Sequence, residues 1–110
     1  MITKQTILIV DDSELNRAIL YEILKDDFYL LEATNGQECI DYIKQYGSGI
    51  SLILLDIIMP EIDGFDVLQW MEQEKWLDDI PVILISSEDS ANIINKGFAM
   101  GASDYIKKTF

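Results

Sequence analysis

The chain has 110 residues, 49% of them apolar, enough for one packed domain and too apolar for a disordered segment. Its 8 basic and 20 acidic residues leave a net charge of −12, which disfavours nucleic acid and anionic membranes as direct partners because their phosphates are repelled. Histidine is absent and Cys39 is the single cysteine, so histidine-based catalysis, histidine or thiolate metal clusters within one chain, and an internal disulfide are excluded.

The N-terminal stretch MITKQTILIV carries one lysine and a short apolar run, then Asp11-Asp12 where a secretory signal has small residues for cleavage. No apolar run approaches the roughly 18 residues of a membrane span, and the lone cysteine makes a reducing cytoplasm the expected setting. Thr6–Val10 is predicted as the first strand. Ser13 is a good N-cap for a helix with Leu15, Ile19, Leu20, Ile23 and Leu24 at helical spacing, running to Asp26. A weaker, mixed run over 28–33 reads as an edge strand. Gly36–Tyr46 is predicted as a helix with Cys39, Ile40 and Ile43 inward, stopped by Gly47-Ser48-Gly49.

Strands follow over 50–55, 81–85 and 103–106. Between them, helices are predicted over 63–75, carrying Phe65, Val67, Leu68 and Met71, and over 89–100, carrying Ala91, Ile94 and Phe98, with Gly101 as the stop. Gly97 inside the last helix reads as a weakness of about 1 kcal/mol against alanine. Met59, Met71, Met100, Trp70 and Trp76 are expected to pack, and Cys39 to be a small buried residue. Apolar runs without alternation indicate a parallel sheet covered by helices, because alternation needs one wet face. The alternating order predicts an α/β doubly wound fold with right-handed crossovers, and five strands fit the flavodoxin-like order 2-1-3-4-5. That order sets the first and third strands side by side, with ligands at their carboxyl ends.

Four of the five strands are followed by a chemically informative group: Asp11-Asp12 after the first, Asp56 after the third, Ser86-Ser87 after the fourth and Lys107-Lys108 after the fifth. Parallel strands bring these ends to one edge. Three carboxylates in contact repel one another unless a cation sits among them. With neither histidine nor a thiolate cluster, that cation is a hard one held by oxygen, and Mg²⁺ suits carboxylates combined with phosphate oxygens. A carboxylate beside it can attack phosphorus, while a lysine neutralises the transferring group and a hydroxyl donates to one of its oxygens.

The segments ILIVDDSELNR, LILLDIIMPEIDGF, PVILISSED and GASDYIKKTF resemble the response-regulator receiver domains of two-component signalling, over residues 4–110. The resemblance implies that Asp56 accepts a phosphoryl group from a phosphohistidine of a sensor histidine kinase or histidine phosphotransfer protein. It implies Mg²⁺, with Mn²⁺ as a substitute, on Asp11 and Asp12 (Asp12 more directly), Asp56 and the backbone carbonyl of Ile58. It maps the switch hydroxyl to Ser86, the switch aromatic to Tyr105 and the key lysine to Lys108, not Lys107. Phosphorylation then alters the surface of the fourth helix and fifth strand, to be read by an output domain or downstream protein. The domain is its own substrate and no turnover enzyme. In the family, the residues two after the phosphoacceptor and two after the switch hydroxyl flank the path of hydrolytic water; here they are Ile58 and Glu88. Isoleucine cannot orient water, so self-dephosphorylation is expected to be slow.

Two features depart from the family pattern. The usual Lys-Pro-Phe with a cis bond is here Lys108-Thr109-Phe110, and a non-proline cis bond costs about 2.5–4 kcal/mol, so trans is expected. The sequence ends at Phe110, before the family's fifth helix. The expectation is a single receiver domain over 1–110, cut before its last helix or leading a longer protein. An uncovered sheet face would then invite self-association or a homodimer. Three rival readings stand beside this one. A phosphohydrolase with an aspartyl-phosphate intermediate usually has a second Asp where this chain has Ile58. A pseudo-receiver, a constitutive protein-interaction module, usually lacks an acid or the lysine, and none is lost here. A flavodoxin-like cofactor binder needs a phosphate loop after the first strand, where Asp11-Asp12 would repel a phosphate.

Overall fold

In the computed structural model, which describes residues 4–88 and 90–109, five strands and four helices alternate. The strands are β1 (Thr6–Val10), β2 (Tyr29–Ala33), β3 (Leu52–Asp56), β4 (Val82–Ser86) and β5 (Asp104–Lys107). The helices are α1 (Glu14–Leu24), α2 (Gly36–Tyr46), α3 (Gly64–Gln73) and α4 (Ala91–Ala99), and a 3₁₀ turn at Gly47–Gly49 follows α2. All strand pairs are parallel and the sheet order is β2-β1-β3-β4-β5, as the apolar runs predicted. No helix among the described residues is long and apolar enough to cross a membrane.

Short polar side chains start each helix by accepting an otherwise orphaned backbone N–H. Ser13 accepts from Asn16, Asn35 from Glu38 and Ser90 from Ile93, while Asp63 and Asp66 form a reciprocal capping box. Lys75, with φ of 63°, leaves the helical region, so α3 stops at Gln73 and not at 75. Likewise α1 ends at Leu24, with Lys25 as its cap, two residues before the predicted Asp26. The predicted start of the fourth helix, Asp89, lies outside the described residues; the cap is Ser90.

Alternation along buried strands divides the core. Leu8, Val10, Ile53, Leu55, Val82 and Leu84 face α2, α3 and α4, meeting Cys39, Ile43, Val67, Leu68 and Met71. Ile7, Ile9, Leu54 and Ile85 face the other way, toward Leu20 and Leu24 of α1. On that second face α1 is the covering helix among the described residues, and Ile106 at the β5 edge is 45% exposed. Trp70 and Trp76 pack against the first cluster, and Cys39 is fully buried there, which pushes its thiol up to about 12 and leaves it inert.

Gly97 has a role that propensity alone does not reveal. A Cβ at this position would collide with Cδ1 of Leu84, itself 1% exposed in β4. The bare backbone lets α4 lie close against the sheet. Gly97→Ala is therefore expected to lose about 1 kcal/mol through overpacking instead of gaining the helix-propensity increment. Urea unfolding checks this, and a more stable variant contradicts it.

Candidate functional site at the carboxyl edge of the sheet

The predicted groups do converge. Asp11 and Asp12 leave the end of β1, and Asp56 is the last residue of the adjacent β3. Carboxylate oxygens of all three lie within 4.8 Å of one another. Asp11 and Asp56 are 2% and 4% exposed, whereas Asp12 faces solvent at the mouth. β3 and β4 each run one residue beyond the apolar run that announced them. The ladder continues through Asp56 and Ser86, with Ile57 N–H donating to Ile85 O at 3.2 Å and Lys108 N–H to Ser86 O at 2.8 Å. This pairing fixes where the Lys108 backbone leaves the sheet. No peptide bond among the described residues is cis, so Thr109 follows Lys108 in trans, as expected. The lysine still reaches inward: its Nζ lies 2.8 Å from Asp11 Oδ2 and 3.2 Å from Asp56 Oδ1.

Asp11 is held at every polar atom. Its N–H donates to Ala33 O at 3.1 Å, and its carbonyl accepts from Arg17 Nη1 at 2.8 Å. Its Oδ1 accepts from Ser13 N–H at 2.9 Å, and its Oδ2 faces Lys108. A buried carboxylate is tolerable on such terms. Asp56 is less well compensated. Burial first, and then the charge of Asp11, push its carboxyl up to about 6 from 3.8, although Lys108 pulls the other way. For Lys108, burial acts to lower the ammonium, but the hydrogen bonds and charges of Asp11 and Asp56 outweigh it and hold it above the ordinary lysine value. The cluster is thus short of positive charge. Its donors are hard oxygens alone, which fits Mg²⁺ or Mn²⁺ and does not fit a thiophilic metal.

Around this centre the other predicted residues take distinct places. Ser86 is completely buried, and its Oγ accepts from Glu88 N–H at 3.1 Å, a local turn that ties the β4–α4 loop to the strand end. Tyr105 pairs with Leu84 across β4–β5 and packs against the main core, its hydroxyl buried. Ile58 is 56% exposed beside the site. Gly64 opens α3 directly against the end of β3: a Cβ there would lie 2.5 Å from Asp56 O and 2.9 Å from Ile57 Cα. Its N–H donates to Ile57 O at 2.9 Å. Both neighbours are backbone, so Gly64 is demanded by close approach. One residue escaped the sequence reading. Arg17, the chain's single arginine, falls on the buried side of α1 between Ser13 and Leu20, a position whose polarity in an acidic chain was the available signal.

The model of the response regulator receiver domain family matches residues 7–110. The chain is a response regulator receiver domain. Over 103 residues this receiver domain is 36% identical to a probable cyclic di-GMP phosphodiesterase of Vibrio cholerae serotype O1, covering 94% of the chain and 23% of that protein. It is 31% identical over 103 residues to the two-component response regulator ORR5 of Oryza sativa, covering 93% of the chain and 76% of that protein. Among solved structures, the CheX-CheY-BeF3-Mg complex from Borrelia burgdorferi superimposes with a TM-score of 0.87 at 30% identity, covering 96% of this chain and 79% of that one. The chain thus spans less than a quarter of the first relative's length. The receiver belongs to two-component signalling, and its α/β fold and strand order are those of its structural neighbours.

Proposed function

We propose that this receiver is a phosphorylation switch in which Asp56 takes a phosphoryl group from a phosphohistidine of a sensor histidine kinase or histidine phosphotransfer protein. One observation carries the reading: Lys108 Nζ sits between Asp11 and Asp56, at 2.8 and 3.2 Å, within a trio of carboxylates at the ends of β1 and β3. An Asp56 oxygen forms the new P–O bond as the P–N bond to the imidazole breaks, and the imidazole keeps the electron pair and takes a proton from solvent. Asp11, Asp12, Asp56 and the Ile58 carbonyl would hold Mg²⁺, which neutralises charge on the transferring group. Lys108 supplies the second cation, from a position already in contact with the acceptor.

Ser86 and Tyr105 form the switch. Once Asp56 carries phosphate, the Ser86 hydroxyl, whose oxygen accepts from Glu88 N–H, swings inward to donate its O–H to a phosphoryl oxygen, which moves the β4–α4 loop. Tyr105, adjacent on β5, changes rotamer with it, and the surface of α4 and β5 follows. The reader of that surface is an output domain on a longer chain or a separate protein in the cytoplasm. The Vibrio cholerae relative supplies the precedent, since its matching region is 23% of a much longer chain.

Intact mass after incubation with Mg²⁺ and acetyl phosphate tests the reading. A gain of one phosphoryl group that needs Mg²⁺ and disappears in Asp56→Asn supports it. No gain, with Mg²⁺ bound, favours a constitutive pseudo-receiver. Lifetime is a separate expectation. Ile58 offers no hydrogen bond to an attacking water, so Ile58→Asn is expected to speed loss of phosphate several-fold. An unchanged rate by phosphate-release assay would remove Ile58 from the account.

A further inference from the structure

We propose that Arg17 is a positioning residue for the metal-binding end of the site, a role that rests on the Mg²⁺-dependent reading above. Its guanidinium joins two elements to the site loop. Nη1 donates to the Asp11 carbonyl at 2.8 Å, and Nε lies 3.3 Å from Glu32 Oε1 on β2. The Arg17 side chain is 13% exposed and its bond to the Asp11 carbonyl is shielded, while Glu32, at 40% exposed, holds the guanidinium from the rim.

The carbonyl that Arg17 holds belongs to the peptide joining Asp11 to Asp12. That peptide's orientation decides where the Asp12 backbone, and hence its carboxylate, is presented. Asp11 N–H is fixed to Ala33 O of β2, so the turn after β1 is held by β2 on the amide side of Asp11 and by Arg17 of α1 on its carbonyl side. The planar fork suits this task, since one face of donors reaches the carbonyl while Nε engages the carboxylate that aims it. A lysine keeps the charge but not the two directions.

Charge and position predict opposite results. A cation beside three carboxylates repels a metal ion, so removing Arg17 for its charge alone would tighten Mg²⁺ binding. Removing a residue that positions the ligands weakens it. Calorimetric Mg²⁺ titration of the whole chain distinguishes the two. Arg17→Met is expected to weaken Mg²⁺ affinity about 10-fold, at the lower end of the effect of residues that support metal ligands. Arg17→Lys shifts it in the same direction despite the retained charge, and Glu32→Gln does so to a smaller extent. In the metal-free variants the Ser13 amide, which donates to Asp11 Oδ1, changes its NMR shift.

Unchanged or tighter binding in folded Arg17→Met overturns the proposal. So does a lowered unfolding midpoint with no change in affinity, which marks a structural role only. If Arg17→Met does not fold, Arg17→Lys and Glu32→Gln decide by the same criterion. Failure of the unmutated chain to bind Mg²⁺ would overturn the proposed function and this role together, and is told apart because it needs no variant.

Discussion

Lys108→Met is expected to destabilise the metal-free domain by about 2–3 kcal/mol at pH 8, and by distinctly less at pH 5. The lysine is 12% exposed at its side chain and is the ammonium facing both Asp11 and Asp56. Breaking a buried ion pair by deleting one partner costs about 3–5 kcal/mol, because the other charge is left uncompensated. The open mouth and the readiness of Asp56 to take a proton lower that figure here. The same readiness sets the pH dependence. Without Lys108 the Asp56 pKa rises further above about 6, and the variant's stability falls as pH climbs through that raised value. Urea unfolding at the two pH values, with a chelator present, measures the difference. Mg²⁺ should then restore more stability to the variant than to the parent chain, since a divalent cation can occupy the acidic cluster in place of the ammonium. Equal losses at both pH values would contradict this picture.

The second large effect has the opposite sign. Asp56→Asn is expected to abolish phosphorylation and yet to stabilise the metal-free domain by about 1–2 kcal/mol at pH 7.5. Burial and Asp11 raise the Asp56 pKa from 3.8 to about 6, so the protonated form is favoured in the folded state. A raised carboxyl contributes stability that is complete below its unfolded pKa of about 3.8 and is lost as pH rises through about 6. At neutral pH the parent chain has lost that contribution. The amide carries no charge to desolvate, and Lys108 keeps its 2.8 Å contact with Asp11. The stability difference should therefore vanish toward pH 4. A destabilised Asp56→Asn at pH 7.5 would show that the Lys108–Asp56 contact outweighs the burial of the charge. The two predictions together describe a site that is strained by its own excess of negative charge until a cation arrives, as functional sites often are.

Much of the fold was legible because buried parallel strands announce themselves. The three central strands β1, β3 and β4 are apolar runs, whereas the edge strands β2 and β5 are mixed and largely exposed, and the helices between the strands begin at side chains able to cap them. The site was legible for a related reason. An aspartate at the end of an apolar strand has no structural motive to be there, and parallel topology carries all strand ends to one edge. Where the reading failed, the cause was non-local. Helix ends at Leu24 and Gln73 are set by the chain's departure toward the next strand, which periodicity does not record. Gly97 looked like a flaw because propensity counts only the helix that contains it, whereas its purpose lies in Leu84 on the sheet beneath.

The sequence by itself determined the order of elements, the two-sided burial of the central strands and the identities of the acids, hydroxyl and lysine at the strand ends. These follow from composition and spacing, which are properties of single segments. Only the tertiary structure decided which of Asp11's atoms meets which partner, that Lys108 spans two carboxylates from a trans peptide, and that Arg17 clamps the turn after β1. Those arrangements join residues from β1, α1, β2, β3 and the end of β5. Hydrogen bonds and ion pairs act over about 3 Å, and only packing of the helices on the sheet brings residues so distant in the chain to that range.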